Sequence, residues 1–139
     1  MARSTPSRLA AFSMFDNLSA KELKAVERLL APVDFPAGKE FIKEGSPGAE
    51  AFVILDGQAS VWRGGRLIAT VGPGTVIGEM ALITGARRNA SVKAETDLKT
   101  DVLGRREFSS LLHENAKVTN KILTSVIVRL QELEPSALG

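Results

Sequence analysis

The chain contains no cysteine and no tyrosine, and only one histidine and one tryptophan among its 139 residues. Without cysteine there is no disulfide and no thiolate metal site. A single imidazole cannot supply the converging ligands that a catalytic metal needs. No metal site is therefore expected, and the chain is read as a binding protein, not an enzyme. Lack of cysteine accords with a reducing compartment, so the expected setting is cytoplasmic. Excess charge is scarce as well. The 18 basic and 16 acidic residues leave a net +2, too little to argue for nucleic acid or an anionic membrane. Nor is there an apolar run near the roughly 20 residues that a membrane span requires. The stretch from Met1 to Arg8 lacks the apolar core of a signal peptide and reads as a flexible tail over residues 1–8.

What is present suits one domain, expected over 9–139. An apolar fraction of 44% with 24% charged residues is ordinary for a globular chain. At this length roughly two-thirds of the unfolded surface can be buried. Ser19 with Glu22 three residues on forms a capping-box signature, and Leu23, Val26, Leu29 and Leu30 continue at helical spacing, predicting a helix over 19–31. From 33 to 102 the texture changes to short runs broken by Gly45-Ser46-Pro47-Gly48, Asp56-Gly57, Gly64-Gly65 and Gly72-Pro73-Gly74. Such punctuation predicts a mainly β fold, an antiparallel β-roll of jelly-roll or double-stranded β-helix type. Phe52 to Leu55 reads as a core strand, and Gly64-Gly65 as a two-residue hairpin turn. Helical spacing returns over 105–134, with Phe108, Leu111 and Leu112 on one helix and Val118, Ile122, Val126 and Leu130 on the next. Leu123, Ile127 and Leu133 widen that second stripe. Two arginine pairs, Arg87-Arg88 and Arg105-Arg106, have solvated surface as their plain reading. Trp62 has hairpin packing, and His113 a helix surface.

The chemistry concentrates in residues 77–92, Ile-Gly-Glu-Met-Ala-Leu-Ile-Thr-Gly-Ala-Arg-Arg-Asn-Ala-Ser-Val. Glu79 supplies an acceptor-only carboxylate, the natural partner of a sugar hydroxyl. Arg88 supplies a forked guanidinium that matches phosphate oxygens. Gly78 allows close backbone approach, and the helix-like piece from Glu79 to Thr84 offers N–H groups at its start. Small side chains at Ala81 and Ala90 leave room between the two charged groups. The segment reads as a phosphate-and-sugar cassette.

This segment resembles the phosphate-binding cassette of the cyclic-nucleotide-binding domain family. The matching residues are Ile77, Gly78, Glu79, Met80, Ala81 and Leu82, then Arg88, Asn89, Ala90, Ser91 and Val92. A second signature of that family is matched by Ile42, Gly45, Gly48, Phe52 to Leu55 and Gly57, with Ser46 and Ala51 fitting less well. The resemblance runs from about Leu9 to Leu133. It implies a regulatory module that binds cAMP or cGMP through Gly78, Glu79, Met80, Ala81, Arg88, Asn89 and Ala90, with no other cofactor, and signals by rearranging its flanking helices. The family associates a hydroxyl residue at the place of Asn89 with guanine recognition, so cAMP is expected over cGMP. The terminal helix would lid the purine or pair subunits into a homodimer, with Leu123, Ile127 and Leu130 as candidate contacts. No tyrosine can serve as an aromatic lid.

Three other functions are weighed against this one. A small cupin-type enzyme lacks its ligand set. DNA binding by this chain alone lacks a helix-turn-helix after the long helix. A degenerate roll kept for protein contacts sits badly with the Glu79 and Arg88 pair. An effector protein, or an effector domain outside these residues, is required to read the signal.

Overall fold

The computed structural model describes Leu9 and residues 12–133. These residues divide into two compact units, one of residues 29–109 and one of the described residues before 29 and after 109.

The first unit carries eight strands: β1 (Ala31–Phe35), β2 (Glu40–Ile42), β3 (Glu50–Asp56), β4 (Ala59–Arg63), β5 (Arg66–Val71), β6 (Val76–Ile77), β7 (Ser91–Ala94) and β8 (Leu98–Gly104). They form two four-stranded antiparallel sheets, ordered β1-β8-β3-β6 and β2-β7-β4-β5. The roll predicted from the turn punctuation is therefore present. The core lies between the sheets, because its buried residues come from both. Phe52, Ile54 and Leu98 belong to one sheet, and Ile42, Ala59, Val92 and Ala94 to the other. Phe35 stacks on Phe41 at 4.4 Å between ring centroids, and Phe41 meets Phe52 edge-on at 5.3 Å, which adds directional packing to the apolar burial. The β4–β5 hairpin turns at Gly64 and Gly65, both with positive φ (57° and 77°), as a two-residue turn matching strand twist requires. Leu55, expected in the core, lies on the outward side of β3 and is 38% exposed. The register of β3 against β8 shifts between Ile54 and Asp56, so the strand's regular alternation breaks at Leu55.

Two helical elements interrupt or close the roll. The four-residue α2 (Ala81–Thr84) follows β6 and stops at Gly85, whose φ of 64° is a left-handed cap. The helix α3 (Arg105–Glu114) follows β8, anchored at its first residue by Arg105 N–H to the Ala49 carbonyl, 2.8 Å.

The second unit holds a 3-10 turn (Ser13–Phe15), α1 (Ala20–Glu27) and α4 (Ala116–Leu133). Ser19 and Glu22 form the predicted capping box, with Glu22 N–H donating to Ser19 Oγ at 3.2 Å and Ser19 N–H to Glu22 Oε1 at 2.8 Å. The helix expected over 19–31 ends at Glu27, and Ala31 already opens β1. Leu29 and Leu30 keep helical spacing in sequence, but Pro32 lies too close for their turn to continue. In α4, Val118 and Ile122 are buried, whereas Leu123, Ile127 and Leu130 are about half exposed. The apolar stripe is wider than the face that the described residues cover. Lys121 of α4 reaches Glu22 Oε1 at 2.7 Å, and Asn17 Nδ2 donates to Ser125 Oγ at 2.9 Å. His113 is exposed, as read. Among the described residues no helix is long and apolar enough to cross a membrane. The expected tail (1–8) and the final residues of the 9–139 domain lie outside the described residues.

Candidate functional site

The site grows from the β3–β6 pairing, in which Phe52 lies opposite Ile77 and Val53 opposite Val76. That register sets the end of β6, and therefore Gly78, against Glu50 at the start of β3. Gly78 takes a φ of 80°, a conformation that side chains rarely adopt. The chain then turns into α2. The N–H groups of Ala81 and Leu82 donate to the carbonyls of Gly78 and Glu79 at 3.1 and 3.2 Å. Those two donors are consumed by the turn itself, and the principal cationic group of this wall is a side chain.

That side chain is Arg88, which folds back over Gly78. Its Nη2 donates to the Glu50 carbonyl at 2.7 Å and stands 3.5 Å from the Glu50 carboxylate. The Arg88 side chain is only 7% exposed. Burial pushes its guanidinium below the ordinary arginine range, and the Glu50 charge partly opposes this. Its second terminal nitrogen, Nη1, is shielded from solvent and has no hydrogen-bond partner among the described residues. A buried guanidinium N–H without an acceptor is costly to keep, on the order of 1–3 kcal/mol or more. The main chain of Arg88 is fixed on both sides by the β2–β3 loop. Arg88 N–H donates to the Ser46 carbonyl and Gly45 N–H to the Arg88 carbonyl, each at 2.8 Å.

A cavity of about 320 Å³ opens between these elements, a size suited to a small ligand. Gly78, Glu79, Met80, Ala81, Arg88, Asn89 and Ala90, the whole predicted set, line it together. Glu79 is half-buried, with one carboxylate oxygen shielded from solvent. Ala81 and Ala90 are buried, while Met80 is 75% exposed. The Asn89 carbonyl accepts from Arg63 Nε at 2.9 Å. Sequence reasoning met Ile42, Ile77 and Val92 as signature positions and Arg87 as a solvated charge, but gave none of them, nor Val61 or Ala86, a place in the site. Glu50, which holds Arg88, was missed too, since nothing local in its spacing marks it. Trp62 does not line the cavity. Its Nε1 donates to Ser60 Oγ at 2.8 Å, in keeping with a hairpin role. Ser91 Oγ accepts from Glu44 N–H at 2.9 Å. Among the described residues no group of three or more acidic, histidine or cysteine side chains is placed to hold a metal. Chemically, the cavity sets one buried cation and one carboxylate around an apolar wall. It can accept an anion and a hydroxyl of the same small molecule.

Comparison with known proteins points the same way. A family model described as "Cyclic nucleotide-binding domain" matches residues 32–115. Human cGMP-dependent protein kinase 2 is 30% identical over 104 residues, covering 75% of this chain and 14% of the kinase. A CRP-like cAMP-activated global transcriptional regulator of Mycobacterium tuberculosis is 26% identical over 128 residues, 88% of this chain and 57% of that protein. The chain thus spans a small part of the first relative and just over half of the second. The crystal structure of the N-terminal domain of a transcriptional regulator from Streptomyces coelicolor superimposes with a TM-score of 0.81 at 25% identity, covering 89% of this chain and 92% of that one.

Proposed function

The chain belongs to the cyclic nucleotide-binding domain family, and from that premise we propose that it is a sensor that prefers cAMP to cGMP and signals through the helices flanking its roll. The observation carrying this reading is the buried Arg88 Nη1, which lacks a hydrogen-bond partner among the described residues, on a side chain that lines a cavity together with Glu79. A cyclic phosphodiester supplies the missing acceptor and the compensating charge at once. Glu79 then accepts the ribose hydroxyl, Ala81 and Ala90 leave space for the phosphate ring, and Met80 and Asn89 contact the sugar and base. The apolar wall of Ile42, Val61 and Val92 offers dispersion contact to the nucleoside.

Adenine is favoured because position 89 carries an amide in place of the hydroxyl that the family resemblance links to guanine. The cAMP-activated mycobacterial relative agrees with that choice, and the cGMP-dependent kinase relative opposes it. The protein performs no chemistry on its ligand in this reading. Binding favours one of two helix arrangements and shifts their population. A partner protein or further domain reads the result, and the exposed face of α4 at Leu123, Ile127 and Leu130 is available for a homodimer.

Calorimetric titration with cAMP and cGMP tests the proposal. Binding is expected for wild type, with cAMP the tighter ligand. Arg88→Ala should weaken it about 10- to 100-fold, the equivalent of one charge-assisted contact. Wild-type affinity in that variant, or no binding of either nucleotide to wild type, overturns it.

A further inference from the structure

Arg87, the neighbour of the clamp residue, reads in sequence as a solvated charge, but its geometry is specific. It lines the cavity, and its Nη1 donates to the Gly45 carbonyl at 2.8 Å. Gly45 belongs to the same β2–β3 loop whose main chain brackets Arg88, through Gly45 N–H to the Arg88 carbonyl and Arg88 N–H to the Ser46 carbonyl. At the other end of that loop Gly48 is buried so tightly that a Cβ would overlap the Ala86 carbonyl oxygen and lie 2.7 Å from Ala81 Cβ. The loop therefore packs against Ala81 at the start of α2 and Ala86 beyond its end, and bonds both backbone groups of Arg88. Two cassette side chains tie it: Ser91 Oγ accepts the Glu44 N–H, and Arg87 donates to the next residue's carbonyl, nearer the clamp.

We propose that Arg87 is a positioning residue for the anion clamp: its bond to the Gly45 carbonyl straps the β2–β3 loop across the cassette and so holds Arg88 at its binding angle. This rests on the cyclic-nucleotide reading above. It assigns Arg87 no contact with the ligand, which separates it from a second phosphate-binding cation. A strap slows ligand departure, because an ordered clamp is lost when it opens. A free cation at the cavity mouth would instead speed arrival, an effect that salt screens.

The test is stopped-flow binding of a fluorescent cAMP analogue to wild type, Arg87→Ala and Arg87→Lys at low and high salt. Amide exchange of Gly45, Ser46 and Gly48 is measured without ligand. In Arg87→Ala the dissociation rate should rise about three- to tenfold, the association rate should stay within about twofold, and the difference should persist in high salt. Exchange at Gly45, Ser46 and Gly48 should quicken, and the thermal midpoint should hold. A loss confined to the association rate, abolished by salt and restored by Arg87→Lys, overturns the proposal in favour of steering. Unchanged loop exchange in ligand-free Arg87→Ala overturns it without reference to nucleotide. If wild type binds no cyclic nucleotide, the functional reading fails, while the exchange result still decides whether the strap exists.

Discussion

Gly78 and Arg88 share space that no other residue at position 78 would leave free. A Cβ on Gly78 would overlap Arg88 Nη1 and lie 3.0 Å from the Glu50 carbonyl oxygen, on a backbone already at a φ of 80°. The clamp nitrogen thus rests where a side chain would otherwise be.

Gly78→Ala should therefore act on binding as well as folding. Strain at positive φ costs about 1 kcal/mol or more, and displacing Arg88 removes a charge-assisted contact, so nucleotide affinity should fall at least about tenfold. Gly74→Ala is the control, since Gly74 has a φ of 88° and nothing within 4 Å of an added Cβ. It should lower the thermal midpoint by a similar strain and leave calorimetric affinity unchanged. Equal affinity losses in both variants would show that backbone strain alone, not the Arg88 contact, governs the site.

The division between what local spacing reveals and what it hides follows from how the site is built. Glu79, Arg88 and the small residues between them lie in one continuous segment, so their types and order expose the cassette. The Ser19–Glu22 cap and the Gly64-Gly65 turn are equally local. Glu50, Ile42 and Val61 reach the site through sheet pairing, β3 beside β6 and both β2 and β4 beside β7. Strand partners far apart in the chain leave no mark on each other's sequence. The same limit explains the overlong first helix, because Leu29 and Leu30 satisfy a helical period that the following strand overrides. It also explains α4, whose apolar stripe does not say which part of it is covered.

A second test concerns acid stability in the helical unit. The Glu22 carboxyl is held at about 2 by the hydrogen bond from Lys121 and then by Ser19 N–H. Its value in the unfolded chain is near the ordinary ~4.3. The folded value is the lower one, so this stabilisation is complete above the unfolded value and is lost as pH falls through the range toward 2. Thermal melts should show Glu22→Gln less stable than wild type near pH 6, with the gap closing toward pH 2. A gap that stays constant over that range would mean the Lys121 pairing contributes nothing through ionisation.

The proposed base preference turns on one side chain. Asn89 lines the cavity, and its backbone carbonyl is held by Arg63 Nε at 2.9 Å. The position is therefore fixed while the side chain is open to exchange, and Asn89 is itself exposed. Asn89→Thr introduces the hydroxyl that the family resemblance links to guanine, without altering the main-chain bond. A single well-placed hydrogen bond to a base edge changes discrimination by about 1–2 kcal/mol, or roughly 5- to 30-fold. The ratio of cGMP to cAMP dissociation constants, measured by competition against one fluorescent analogue, should fall by that factor. Affinity for cAMP should stay within about threefold, because the phosphate and ribose contacts are untouched. If the ratio does not move, position 89 does not read the base, and the proposed preference for adenine loses its basis at this residue.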